Sequence, residues 1–418
     1  MYGGESVSQC NSLPAPIRRA AWWVPLVSVF VLSACSAVAR HDAVPAALER
    51  EARVADMPAN IRARVGSPKD EAALAGEFVQ SWKRERAYLA SQGYSGPLPA
   101  TSFLALSGGG DQGAFGAGVL NGWTAAGTRP QFKLVTGIST GALIAPFAFL
   151  GPAYDGKLKA LYTNTSAKDI LTTRWYLAVM TNDAMADTLP LRNVLRKHVD
   201  QALLDAIAAE YAKGRELWIA TTNLDSRVRY IWNMTRIAAT RHPRALDLFH
   251  SLMIASAAIP GAFPPVMIDV DAGGRRYQEM HVDGGAMAQV FVYPTGLDFE
   301  ALAVENNSER QRTLYVIRNS RLDPDWAQVE RRTLSIAGSA ISSLIHTQGL
   351  GDLYRIFLTA QRDGLDFNLA YIPSHFNAPH KEEFDTEYMR ALFALGYDMA
   401  AGGYPWEKVP PDYASHSR

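Results

Sequence analysis

The pentapeptide Gly137-Ile138-Ser139-Thr140-Gly141 constrains this chain more than any other feature. It follows the apolar run Phe132-Lys133-Leu134-Val135 and precedes Ala142-Leu143-Ile144-Ala145. A serine between a buried strand and a helix can be held in a sharp, strained turn that exposes its hydroxyl. Gly137 and Gly141 suit that turn, because strand and helix backbones pass too close there for side chains. The helix that follows directs the positive end of its dipole toward developing negative charge. The pattern predicts a strand, an elbow carrying Ser139 as a nucleophile, and a helix. A glycine-flanked packing turn is the plainer meaning of the same letters.

A second glycine loop, Ser107-Gly108-Gly109-Gly110-Asp111-Gln112-Gly113, also lies between a strand-like run and a helix-like run. Gly108, Gly110 and Gly113 fit the dinucleotide fingerprint. That reading needs an acidic residue about 20 positions on, to bind a ribose. No Asp or Glu occurs between Asp111 and Asp155. A phosphate-binding P-loop fails too, because no Lys-Ser/Thr follows the glycines. What remains is an oxyanion hole. Uncovered amides of a preorganised glycine loop can stabilise the charge that acyl transfer places on a carbonyl oxygen.

A serine nucleophile needs a base, commonly a histidine. His281 is the only histidine beside an obvious motif, in Glu279-Met280-His281-Val282-Asp283-Gly284-Gly285. It reads better as a strand residue near the site. Asp283 is the better candidate base. It ends a strand-like run just before two glycines, and burial can raise a carboxylate into the range useful for proton transfer.

Strand-like runs alternate with helix-like runs along the body of the chain, which indicates an α/β fold with a largely parallel sheet. Strands are expected at Ser102–Leu106, Phe132–Val135, Leu217–Thr221, Val228–Trp232, Leu314–Ile317 and Phe367–Ile372. Helices are expected after each glycine motif, at Asp247–Ala258 and at Glu387–Ala401. The mostly helical stretch Gly151–Gly214 is a candidate cap over the site. Upstream, Leu74, Phe78 and Trp82 recur every four residues and share a helix face. The resulting division is a leader over 1–34, a tether and helix over 35–100, one catalytic domain over 101–403 and a tail over 404–418.

The leader reads as an address. Arg18-Arg19 precedes an uncharged stretch, Ala20–Ala39, whose apolar core is shorter than a membrane span needs. It ends in Leu32-Ser33-Ala34-Cys35, which resembles the lipobox of bacterial lipoproteins. That resemblance implies lipidation at Cys35 and an outer-membrane location facing the periplasm. The only other cysteine is Cys10, so the body offers no cysteine-based metal or redox site. Lys+Arg and Asp+Glu both number 41, which excludes the basic footprint of a nucleic-acid binder.

Four blocks occur in the order seen in patatin-like phospholipases, and the chain resembles that family from about Thr101 to Gly403. They are Gly108–Gly113, Gly137–Gly141, Ala255-Ser256-Ala257-Ala258-Ile259-Pro260-Gly261-Ala262-Phe263-Pro264-Pro265, and Asp283-Gly284-Gly285. The resemblance implies a three-layer α/β/α fold and a Ser139–Asp283 dyad without histidine. It also implies oxyanion amides from Gly108, Gly109 and Gly110. Gln112, Gly113, Gly137, Gly141, Gly284 and Gly285 are the supporting motif positions, and Ala255–Pro265 shapes the wall of the site. The implied substrates are phospholipids or other acyl-ester lipids, with no metal or cofactor. The family usually carries Arg or Lys where this chain has Gln112, which keeps hydrogen bonding but not charge. A catalytically weak, membrane-tethered lipid-binding or assembly protein is the alternative outcome.

Overall fold

The computed structural model describes residues 40–413 apart from 59, 174–182, 325 and 327. The leader and Cys35 lie outside the described residues. Strand β3 (Thr101–Leu106) shows how the layers form. Successive strand side chains point to opposite faces. Phe103 and Ala105 enter one apolar cluster, while Leu104 and Leu106 enter another on the far side of the sheet. β4 (Phe132–Gly137) is buried at every position, as a strand covered on both faces must be.

Five strands form the parallel heart of the sheet, in the order β7 (Glu216–Asn223), β4, β3, β11 (Arg312–Arg321), β12 (Leu365–Ile372). Antiparallel strands extend the β7 side. β8 (Val228–Asn233) and β10 (Arg275–Asp283) both pair with β7, and β9 (Val266–Ala272) pairs with β10. A separate two-stranded ribbon joins β5 (Thr172–Thr173) to β6 (Ala186–Asp187).

Helix α1 (Pro68–Ser91) covers one face, with Leu74, Phe78 and Trp82 buried against Trp218, Phe103 and Phe299. Its start is set by Ser67, whose side chain accepts from the Asp70 N–H, and by Pro68 in the first turn. The opposite face carries α2 (Gly113–Ala125), α3 (Thr140–Leu150), α4 (Ala245–Ala257) and α6 (Thr386–Ala401). Gly118 and Gly122 let α2 pack directly against the backbone of α6 at Phe393 and Tyr397. The long helix α5 (Thr333–Arg362) returns to the first face through Leu353, Ile356 and Phe357.

Two expected boundaries change. The segment read as a tether is tied into the sheet: β1 (Arg53–Val54) pairs with β9, and β2 (Arg62–Arg64) pairs with β8. The open edges of β9 and β8 recruit it, because unpaired strand groups seek partners. The segment read as a tail is likewise docked. Glu407 pairs with Leu369, and Trp406 packs against Trp123 and Tyr315.

Candidate active site

Ser139 sits at φ 54° and ψ −127°, between β4 and α3. Only an over-determined surrounding holds a non-glycine residue there, at a cost of about 1–3 kcal/mol. Backbone contact determines the elbow. A side chain at Gly137 would run into Gly141, and one at Gly141 would run into Leu106 and Ser107. The Ser139 N–H is accepted by the Ser256 hydroxyl at 3.1 Å, and that hydroxyl donates to the Ala220 carbonyl at 2.8 Å. Ser256 is therefore the clamp of the elbow, which gives the Ala255–Pro265 block a second duty. Ser256→Ala should lower kcat with little change in KM, and cost about 1–3 kcal/mol by leaving a buried N–H unpaired. Steady-state kinetics with a denaturation curve would check both.

Asp283 ends β10 opposite Thr221 and is buried. Gly284 lies against the Ala220 carbonyl with no room for a side chain, so the turn can close beside the elbow. The Gly285 N–H donates to Asp283 Oδ1 at 2.6 Å. Burial raises the Asp283 pKa, while hydrogen bonding from the Ser139 side chain and the Gly285 amide moderates the rise, leaving it at about 7. A carboxyl group with this pKa can exchange protons near neutrality.

The glycine loop lies directly over the serine. A Cβ at Gly108 would stand 3.2 Å from the Ser139 Cβ. Gly109 and Gly110 take φ 152° and 58°, conformations that glycine tolerates and that turn the loop. Gly108 is not one of the oxyanion donors, contrary to expectation. The Gly108 N–H donates to the Gln289 carbonyl at 3.0 Å and is not free to meet an oxyanion. Gly108 instead provides clearance for the serine. Gly109 and Gly110 remain as candidate donors, joined by Thr140, whose N–H opens α3 and has no intrahelical acceptor.

Three residues that sequence patterns did not single out hold this loop. Asn319, at the end of β11, donates to Ser107 O at 2.9 Å, accepts from the Gly116 N–H at 3.1 Å, and gives its own N–H to the Ser107 hydroxyl at 2.8 Å. Gln289 joins the loop to the Asp283 turn, since its side chain donates to Gly285 O at 2.8 Å. Its N–H in turn donates to Asp352 on α5 at 2.6 Å. These partners come from chain positions far from the motifs, so no local spacing could reveal them. Asp111 faces away from the serine and binds His380 Nε2 at 2.7 Å and the Phe384 N–H at 2.9 Å. Gln112 is half-buried and closes the loop through its N–H to Gly109 O at 3.0 Å. Gly113 gives close passage past Thr140 and Tyr162, whose hydroxyls are hydrogen-bonded to each other.

His281 is occupied elsewhere. Its Nε2 lies 3.0 Å from Glu279 and its Nδ1 2.8 Å from the Thr221 hydroxyl, which also accepts from Trp232 Nε1 at 2.8 Å. Burial lowers the His281 pKa against the pull of Glu279. A neutral ring donating from Nε2 satisfies every group in this chain. The histidine is thus a strand residue, not a partner of Ser139.

An apolar cleft opens beside Ser139 and Gly110. It encloses about 580 Å³ including its mouth, and Leu143, Leu161, Ile170, Leu191, Phe263 and Met389 are among its lining residues. Leu161, Ile170 and Leu191 come from the stretch expected to cap the site, and they form one wall.

Residues 104–295 match the family model described as patatin-like phospholipase. This chain carries a patatin-like phospholipase domain. The match spans the glycine loop, the Ser139 elbow, the Ser256 block and the Asp283 turn. The patatin-like domain has the mixed α/β/α architecture described above. Among solved structures, the chain is similar to the crystal structure of VipD from Legionella pneumophila, at 12% identity and a TM-score of 0.34. That likeness covers 72% of this chain and 66% of the other, just under two thirds of its length. It is too remote to bear on activity. No curated protein matches the chain. Among the described residues, no cluster of three or more His, Cys, Asp or Glu could hold a metal ion.

Proposed function

We propose that this protein is a serine acyl hydrolase acting on lipid esters through a Ser139–Asp283 dyad. The observation that carries this reading is a strained serine facing a buried carboxyl group of pKa about 7, beneath a loop of uncovered glycine amides. Ser139 Oγ attacks the ester carbonyl as its proton passes to Asp283. The Gly109, Gly110 and Thr140 amides hold the resulting oxyanion. When the tetrahedral species collapses, the leaving alcohol takes the proton from Asp283 and an acyl-enzyme remains. Water, deprotonated by Asp283, then attacks the acyl-enzyme and releases the fatty acid and the free Ser139 hydroxyl.

The cleft supports a lipid acyl chain as the part recognised. Among the described residues its lining includes no Lys or Arg, so the selectivity we assign to it rests on apolar burial rather than on head-group charge. Ile259 lines the cleft and is itself exposed, so its apolar surface continues out to solvent. Gln112, in place of the family's usual cation, agrees with weak discrimination among head groups. The carboxylic ester is the bond we assign, with phospholipids as the leading substrate class.

Membrane attachment through a lipidated Cys35, after removal of residues 1–34, is part of the same proposal. So are the outer membrane and its periplasmic side as the location. Intact mass of the protein isolated from membranes should show acylation at Cys35, and an unmodified residue there would remove the anchor from the proposal.

The central test is covalent labelling. A fluorophosphonate should modify Ser139, located by peptide mass spectrometry, and should leave Ser139→Ala unlabelled. A folded wild-type protein that resists labelling would favour the lipid-binding alternative.

A further inference from the structure

We propose that the first half of α5, residues 333–348, is a docking element that seats the site edge of the molecule on a lipid surface. The inference rests on three placements and is independent of the chemistry assigned to Ser139.

The first is the helix itself. Parallel strands β3, β4, β7, β11 and β12 present their C-terminal ends on one edge of the sheet, and Ser139 and the glycine loop lie on that edge. α5 leads into β12 and so runs the opposite way, from that edge downward. Its second half is packed, beginning where Gly349 meets Arg318 of β11 and Asp352 meets Gln289. The part before Gly349 therefore projects past the sheet by roughly 24 Å, at about 1.5 Å per residue.

The second is its surface. No Asp, Glu, Lys or Arg occurs from Thr333 to Gly351. Ile341 and Leu344 are 54% and 70% exposed, with Ile336 also 54% exposed. Ile341, Leu344 and Ile345 are spaced three and four apart and share a helix face. Trp326, in the connection between β11 and α5, is 89% exposed. Large apolar side chains exposed together on one helix face mark an interaction site. Without charge to contribute, it suits the hydrocarbon boundary of a bilayer.

The third is the origin of the chain. Arg40, the first described residue, binds Asp225 with two contacts of 2.8 Å and the Gln278 carbonyl at 2.8 Å. Asp225 lies just beyond the C-terminal end of β7, on the same edge. The five residues that precede Arg40 in the mature chain proposed above, Cys35–Ala39, are uncharged, and the proposed lipid is carried on the first of them. The entering chain and the projecting helix thus flank the Ser139 elbow, one at β7 and β10 and the other at β11 and β12. An orientation with that edge toward lipid satisfies both.

The test uses the full chain with Ser139→Ala, so that no lipid is consumed. Hydrogen exchange with and without phosphatidylcholine vesicles should show protection in 333–348 on vesicle addition, little changed by salt because no charge is involved. Unchanged exchange there would overturn the proposal. Protection without lipid that rises with protein concentration would overturn it in favour of a second copy of the chain. In the Ser139 protein, Ile341→Glu with Leu344→Glu should reduce turnover of vesicle lipid at least tenfold and leave hydrolysis of a soluble short-chain ester unchanged. Equal loss on both substrates would count against docking. Absence of hydrolysis in the parent would instead count against the proposed activity and leave the exchange result to decide.

Discussion

Asp283→Asn should lower kcat/KM for ester hydrolysis by roughly 10³–10⁴-fold, the range of losing a positioned base, and yet make the folded protein more stable at pH 8. The two effects have one cause. Asp283 is buried and its pKa stands at about 7, against 3.8 for an ordinary aspartate. Between those values the folded state keeps a proton that the unfolded state has released. Stability from this group is therefore greatest below about pH 4 and falls as pH rises to about 7. The loss amounts to about 4 kcal/mol. Asn cannot ionise and avoids it, while its side-chain carbonyl can still accept from Gly285. Thermal melts should show the Asn protein above wild type at pH 8, with the gap closing toward pH 4. Wild-type activity should rise with pH through about 7, as the carboxylate forms. Undiminished activity in Asp283→Asn would remove Asp283 from the proposed mechanism.

Arg62→Ala should destabilise the fold by about 3–5 kcal/mol, the usual cost of stranding a buried charge. Arg62 arrives on β2 and pairs with Glu279 of β10, with one contact of 3.0 Å, and donates to the Ala52 carbonyl at 3.0 Å. Its guanidinium also lies over the Tyr230 ring, 4.6 Å from the centroid. Burial would raise the Glu279 pKa, but Arg62 and the His281 hydrogen bond bring it down to about 2. The carboxylate's contribution is thus present above its unfolded pKa and lost only as pH falls toward about 2. Without Arg62, a buried carboxylate keeps only His281 and must take up a proton or open the strand. Arg62→Met combined with Glu279→Leu should recover most of the loss, because no charge is then stranded. Urea titration of the three proteins would show this. A change under 1 kcal/mol in Arg62→Ala would mean that β2 is not coupled to the sheet as described.

This ion pair shows where local patterns stop. Arg62 and Glu279 are 217 positions apart, and neither belongs to a repeating pattern. The parallel strands and the helices after each glycine motif were legible because alternation and turn glycines are local properties. β9, β1 and β2 were not, since edge strands draw their apolar and polar positions from a partner found only after folding.

The same distinction applies at the elbow. That Ser139 is flanked by glycines between a strand and a helix is legible from the residues alone. So are the second glycine loop upstream and the two glycines after Asp283. Those features need only neighbours along the chain. Tertiary structure decided which amides remain open, because the Gln289 carbonyl takes the Gly108 N–H across 181 positions. It also decided that Ser256 and Asn319 hold the elbow and the loop, and that His281 is spent on Glu279. Burial set the Asp283 pKa, and burial is a property of everything packed around a residue rather than of the residues beside it.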